Sequence, residues 1–488
     1  MFRPLCVSGS LLVCLMLRAQ APLEDYASKS ATIKGARTVA KIHAELCSNC
    51  HGAKWEGGRA PSMLDEIWAH GGDDDSLARS IRDGWPVNGM PPFKGVLSEQ
   101  EIRAMVILIR EARAKAQAGG QANSGFHSVD GVRVTSELHD FAFERVAGGL
   151  ETPWGMAFLP DGRLLVAERA GRVRIVELGR GVVQSIANIP KVWAHQDGGL
   201  FDVAVHPDYA HTGWIYLSFS EAGGKVPDAS STRIIRGRIR DGALMDQQTL
   251  FQAAPELYTN SNIHFGSRFF FDPAGFLYFS IGDRGERTNA QDLHSPYGKL
   301  HRIRDDGTVP ADNPFVGVPG AVASVWSYGH RNQQGISLNP VTGEIWTSEH
   351  GPRGGDEINR IARGKNYGWP VITYGMNDDG TPITELTAKE GMEQPVVYWT
   401  PSIAPSGIAF YTGDKFPKWR NQLFVAALAG KQLRRLEVVD NQVTHQEIVF
   451  RDFARVRTVI NGPDGTLYIA LNSAFENSPG EVVRLVPQ

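Results

Sequence analysis

A chain of 488 residues, 42% of them hydrophobic, is long enough for two or more domains, or for one large β domain joined to a small one. Its 50 basic and 53 acidic residues leave a formal charge of -3. There is no basic stripe to hold nucleic acid and no acidic tail to draw a basic partner. The 53 glycines and 11 tryptophans suit many tight turns between short strands.

The first element is a targeting pattern. Arg3 supplies a positive start, an apolar run follows from Leu5 to Leu17, and Ala19-Gln20-Ala21 forms a small-x-small site. The pattern predicts a signal peptide over residues 1–21, cut after Ala21, and hence an exported chain, periplasmic in a Gram-negative cell. The run is short for a membrane span and no other stretch is apolar enough, so no transmembrane segment is expected in the mature chain. Cys6 and Cys14 leave with the signal, and only Cys47 and Cys50 remain. One close pair in an exported protein is not a disulfide scaffold, so these cysteines need another task.

Cys47-Ser48-Asn49-Cys50-His51 has the C-x-x-C-H spacing. Two thiols so placed reach the two vinyl groups on one haem edge, and the adjacent histidine lies under the iron. A redox dithiol would not require the histidine, and a zinc site would need two more ligands nearby. Ala36 to Leu46 reads as a helix delivering the motif. Downstream, Gly89-Met90-Pro91-Pro92-Phe93 offers a soft thioether on a proline-stiffened loop, which makes Met90 the preferred second axial ligand. Met63, after Pro61, is a rival; Met105, inside the helical run Ser98 to Ala116, reads as core. That helix opens with Ser98 and Glu101 in capping-box spacing. The region from Ala31 to Ala118 resembles a class I cytochrome c, which implies one covalent haem c. Gln117 to Ser128, rich in Ala, Gly, Gln, Asn and Ser, reads as flexible linker. The expected organisation is a cytochrome c domain over 22–118, a linker over 119–135 and a large domain over 136–488.

The large domain repeats one unit six times: an apolar run, a turn, and a second apolar or aromatic run. The copies start at Gly155, Phe201, Arg268, Gly335, Gly407 and Thr458. Pro160-Asp161-Gly162 and Pro463-Asp464-Gly465 are two of the turns. Six hairpins at a spacing of roughly fifty to seventy residues predict a mainly β fold, a six-bladed β-propeller preceded by a small all-α domain. A β-sandwich would not repeat one hairpin six times. Propeller sites gather loops from several blades, so functional residues should be scattered along the chain.

Five segments in order, His264-Phe265-Gly266-Ser267-Arg268, Ile281-Gly282-Asp283, Gly329-His330-Arg331-Asn332, Gly351 to Asn359 and Gly364 to Pro370, resemble the soluble quinoprotein glucose dehydrogenases. More closely, they resemble the aldose sugar dehydrogenases that use pyrroloquinoline quinone (PQQ). The resemblance spans Leu150 to Leu485. It implies that His264 takes the proton of the anomeric hydroxyl while hydride passes to a PQQ carbonyl, and that Asp283 orients His264. It implies that Arg331 polarises the reacting carbonyl with Asn332 beside it, and that Arg455 and Arg457 grip carboxylates from one face of a strand. Asp197 falls where glucose dehydrogenase has a PQQ-contacting glutamine, with Gln196 adjacent; an acid there favours the aldose sugar dehydrogenase branch. The resemblance further implies calcium on the backbone oxygens of Gly351 and Pro352 and a second calcium position at Glu357 and Tyr367. Departures from the family pattern are Ala429 in place of a lysine, with Lys431 a possible substitute, His350 in place of a glutamine, and Asp378 in place of a tyrosine.

The sequence therefore implies oxidation of an aldose, with electrons going to the fused haem as a tethered acceptor at high effective concentration and then to a cytochrome, an oxidase or a quinone-linked chain. The alternatives are a non-catalytic ligand-binding propeller on a haem carrier or sensor, and a metal hydrolase built on His264, His301, His330 and His350.

Overall fold

In the computed structural model, which describes residues 37–65, 67–117, 126–473 and 478–488, each of the six repeats becomes an antiparallel sheet. Five are four-stranded, with strands in chain order, and occupy residues 153–185, 200–252, 269–328, 333–399 and 405–451. The sixth joins Arg455–Asn461, Leu467–Asn472 and Pro479–Pro487 to two strands from upstream of the first repeat, β1 (Arg133–Thr135) and β2 (Asp140–Glu151). The first strand of each repeat packs against the first strands of both neighbours, around a closed ring. The chain is a six-bladed β-propeller with these strands on the axis.

The second strands explain why the sequence shows continuous apolar runs rather than alternation. Leu164–Glu168, Leu277–Ile281 and Leu423–Ala427 are buried at every position, because both faces of each strand meet a neighbouring blade. Of the expected linker over 119–135, residues 119–125 lie outside the described residues, and the part from Phe126 onward is tied to the propeller. Ser128 Oγ donates to Glu481 Oε2 at 2.6 Å and the Val129 amide to Glu481 Oε1 at 2.9 Å, while β1 pairs with β2. Val129, Val132 and Val134 supply apolar contacts that the polar composition of this stretch conceals.

The cytochrome region is helical from Val39 to His51. α1 (Val39–Ile42) passes through a wider π-type turn, His43–Cys47, into α2 (Ser48–His51). α3 (Asp74–Asp83) and α4 (Glu99–Gln117) follow. The α4 capping box forms as the sequence predicts: the Glu101 amide donates to Ser98 Oγ at 3.2 Å and the Ser98 amide to Glu101 Oε2 at 2.9 Å. Val39, Ile42, Ile102, Met105 and Ile107 make a small core, completed by Met376 of the propeller. Among the described residues no helix is long and apolar enough to cross a membrane. The expected signal peptide, with Cys6 and Cys14, lies outside the described residues.

Candidate active site

Residues at the start of the axial strands and just past the end of the second strands share one face, because successive strands are antiparallel. There they enclose a cavity of about 370 Å³. Before an axial strand come His264, Arg331, Asn332, Ser402 and Asp197; after a second strand come Arg169, His350 and Leu428; Arg455 and Arg457 open the sixth blade. The scattered sequence motifs thus converge on one site.

His264 Nδ1 lies 2.6 Å from Asp283 Oδ1. Asp283 is fully buried and also accepts from the Gly285 amide and from Trp369 Nε1, both at 2.8 Å. Burial works against its charge, but His264 and then Arg331 outweigh it and hold the carboxyl below the usual range. An ionised carboxylate only accepts, so Nδ1 carries the ring hydrogen and Nε2 keeps its lone pair as a base. His264 itself has a φ of 55°, a left-handed conformation unusual for a non-glycine residue, and its amide donates to Asp197 Oδ2 at 3.2 Å.

Opposing this pair is a concentration of positive charge. Arg169, Arg331, Arg455 and Arg457 all line the cavity. Burial, then Arg455 and Arg268, drive the Arg457 guanidinium well below its ordinary range, and burial also lowers Arg331. Arg457 Nε and His350 Nε2 are buried and make no hydrogen bond. A cavity with surplus cationic donors and orphaned polar atoms suits an anionic ligand that carries several hydrogen-bond acceptors. His350 is held neutral by burial and by Arg331, so it adds a polar contact without charge. Asn332 Oδ1 is committed to the Gly266 amide and Gln334 Nε2, each at 3.1 Å, and shapes the wall.

The calcium positions fit unequally. Gly351 O accepts from Arg331 Nη1 at 2.6 Å, so an ion at Gly351 and Pro352 would share that oxygen with a guanidinium. Among the described residues no three His, Cys, Asp or Glu side chains gather as a metal cluster. Glu357 is a better candidate. It pairs across the sheet with Glu349, and desolvation together with Glu349 pushes its carboxyl up to about 8, a repulsion that a cation would relieve. The Tyr367 side chain is spent elsewhere, with its hydroxyl between the Ala362 amide and Arg360 O and its ring stacked on His330 at 4.7 Å.

The hydrolase histidines do not assemble. His301 bonds Ser324 Oγ and Pro296 O, and His330 bonds Ser327 Oγ and Glu349, all away from the cavity. Lys431 is exposed and does not line the cavity, and neither does Asp378. Sequence reasoning missed Trp154 and Arg169. Arg169 directly follows its second strand, as His350 and Leu428 follow theirs, so reading the equivalent position in every repeat would have found it.

In the cytochrome domain, Cys47 and Cys50 are not joined in a disulfide. His51 is buried with Nδ1 3.3 Å from Pro61 O, which fixes the ring and leaves Nε2 available to a metal. Met105 is core and Met63 packs against that core. Met90 stands outside it, half-buried, on a turn closed by two backbone hydrogen bonds with Trp85.

The propeller, with a histidine–carboxylate pair at an arginine-lined cavity, matches a sugar-dehydrogenase family of oxidoreductases, here joined to a cytochrome c domain. Residues 150–484 match the Glucose / Sorbosone dehydrogenase model, and the chain belongs to that family; residues 34–109 match the model of Cytochrome C oxidase, cbb3-type, subunit III. The chain is 43% identical over 347 residues to Aldose sugar dehydrogenase YliI of Escherichia coli, covering 70% of this chain and 91% of that protein. It is similar to the crystal structure of the soluble aldose sugar dehydrogenase of Escherichia coli in the apo-form, with 41% identity and a TM-score of 0.67 over 71% of this chain and 100% of that one. It is also similar to the PQQ-bound aldose sugar dehydrogenase of Streptomyces coelicolor, with 28% identity and a TM-score of 0.58 over 72% of this chain and 99% of that one.

Proposed function

We propose that this exported chain oxidises an aldose at its anomeric carbon with bound PQQ and passes the electrons to one haem c held by Cys47, Cys50, His51 and Met90. The observation that carries this reading is the His264–Asp283 pair at 2.6 Å within an arginine-lined cavity. When bound, PQQ would supply a carbonyl carbon that accepts one hydride, which carries both electrons of the oxidation. His264 Nε2 takes the hydroxyl proton, and Asp283 steadies the resulting imidazolium. Arg331, Arg455 and Arg457 hold the anionic cofactor, and Arg331 offers a donor where negative charge develops. Calcium would be held at Glu357, where it would offset the repulsion from Glu349. The PQQ-bound Streptomyces relative supports the cofactor, and the Arg3-to-Ala21 pattern supports a periplasmic location.

The test is reconstitution. Purified haem-loaded protein without PQQ is given PQQ, calcium and a panel of aldoses and alcohols while the haem spectrum is followed. Haem reduction should require PQQ, calcium and sugar together. A haem that stays ferric with every substrate overturns the reading.

A further inference from the structure

Among the described residues, the helical domain meets the propeller next to the cavity wall. Gly351 and Pro352 line the cavity, and the residues just after them in the chain meet the helices. Arg353, the next residue, makes a two-pronged pair with Glu111 of α4, Nε to Oε1 at 2.8 Å and Nη2 to Oε2 at 2.5 Å. The Arg353 and Met376 backbones exchange two hydrogen bonds of 3.1 Å, and Met376 is buried in the same cluster as Val39, Ile42 and Ile107, against which Cys47 packs. The Val39 amide donates to Gly380 O at 3.3 Å. One glycine marks how close the surfaces come: a Cβ on Gly380 would lie 2.6 Å from Val39 Cγ2. One apolar cluster therefore links the haem-motif cysteine to Met376, whose backbone is bonded to Arg353, the residue after the cavity-lining Pro352.

We propose that the cytochrome c domain works from this fixed seat, with Glu111 and Arg353 as positioning residues, and that electrons leave the cavity across the 351–380 segment rather than by a loosely tethered collision. The proposal rests on the dehydrogenase reading above. Each sugar oxidised releases two electrons and two protons. The electrons cross singly, each reducing ferric haem iron to ferrous. An external one-electron acceptor, a second c-type cytochrome, reoxidises the iron between transfers. The protons leave to solvent, one of them by way of His264. A bidentate arginine–carboxylate pair suits such a seat because it fixes orientation as well as distance.

The experiment uses the full chain with haem, PQQ and calcium. Glu111→Arg sets two guanidinium groups against each other, and the double variant Glu111→Arg with Arg353→Glu restores an opposite-charge pair. Glu111→Arg should slow sugar-driven haem reduction by about tenfold or more, with sugar oxidation by a dye that draws electrons directly from the reduced cofactor nearly unchanged, and the double variant should recover most of the rate. In parallel, amide hydrogen exchange at Val39 and across 353–380 should rise in Glu111→Arg and fall back in the double variant. Equal haem reduction in Glu111→Arg and the natural chain overturns the route, and equal exchange overturns the seat. If sugar fails to reduce haem even in the natural chain, the dehydrogenase reading fails on its own, and the exchange arm still decides whether the seat exists.

Discussion

Asp283 spends both carboxylate oxygens inside the protein, one on His264 and Gly285 and the other on Trp369. Its only route to the chemistry is through the histidine, which it turns and charges. Asp283→Asn keeps the shape but can present a donor to Nδ1, favouring the wrong tautomer. We expect kcat to fall by about 10³–10⁴-fold, as for an aspartate that orients a catalytic histidine, with haem incorporation intact. An unchanged kcat would remove the base assignment. The pair was legible in the sequence because both residues sit in short motifs 19 residues apart. Arg169 and Trp154 were not, since an arginine or tryptophan beside an apolar strand reads as ordinary framework until the ring closes around it.

At the scale of elements, the cavity depends on how loops are pinned to strand ends. Asp356 begins the strand Asp356–Ile361, and its buried carboxylate accepts from the Gly351 amide at 2.9 Å, the Ile403 amide at 2.6 Å, the Ala404 amide at 2.9 Å and Ser402 Oγ at 2.8 Å. One side chain thus holds two cavity walls from different blades. Asp356→Asn replaces an acceptor with a partial donor among these donors and should cost on the order of 3 kcal/mol in stability and weaken PQQ binding more than sugar binding. Burial, opposed by these donors, leaves the carboxyl raised to about 6. The folded form therefore takes up a proton between roughly pH 4 and 6 that the unfolded chain does not. This contribution to stability grows as pH falls through that window and is lost as pH rises through 6. Thermal unfolding should show the gap between the natural chain and Asp356→Asn widening from pH 7 to pH 5; a constant gap contradicts the shift. The hairpins that carry these strands were readable from repeated apolar runs and turns. The pinning was not, because Asp356 stands in a motif whose acidic residues look equally suited to metal.

At the scale of the whole molecule, the ring is closed by strands from both ends of the propeller sequence. β2 pairs with Pro479–Pro487, and Glu481 reaches back to Ser128 and Val129, 353 and 352 residues away along the chain. Glu481→Ala leaves the buried Val129 amide without its partner and should lower stability by about 1–3 kcal/mol, read as a lower Tm. If Tm is unchanged, residues 126–135 are linker after all. Six blades were countable in the sequence, since each repeat carries its own hairpin. The closing strands were harder to place, because pairing across such a separation leaves no local pattern.

The seat of the cytochrome domain also bears on how the protein is made. Glu111 and Arg353 are 242 residues apart in the chain, so the cytochrome c module is synthesised well before the fourth blade exists. Until then Val39, Ile42 and Ile107 lack Met376 and present an unfinished apolar face. During biogenesis that face is an aggregation hazard, and docking onto the completed ring is the step that retires it.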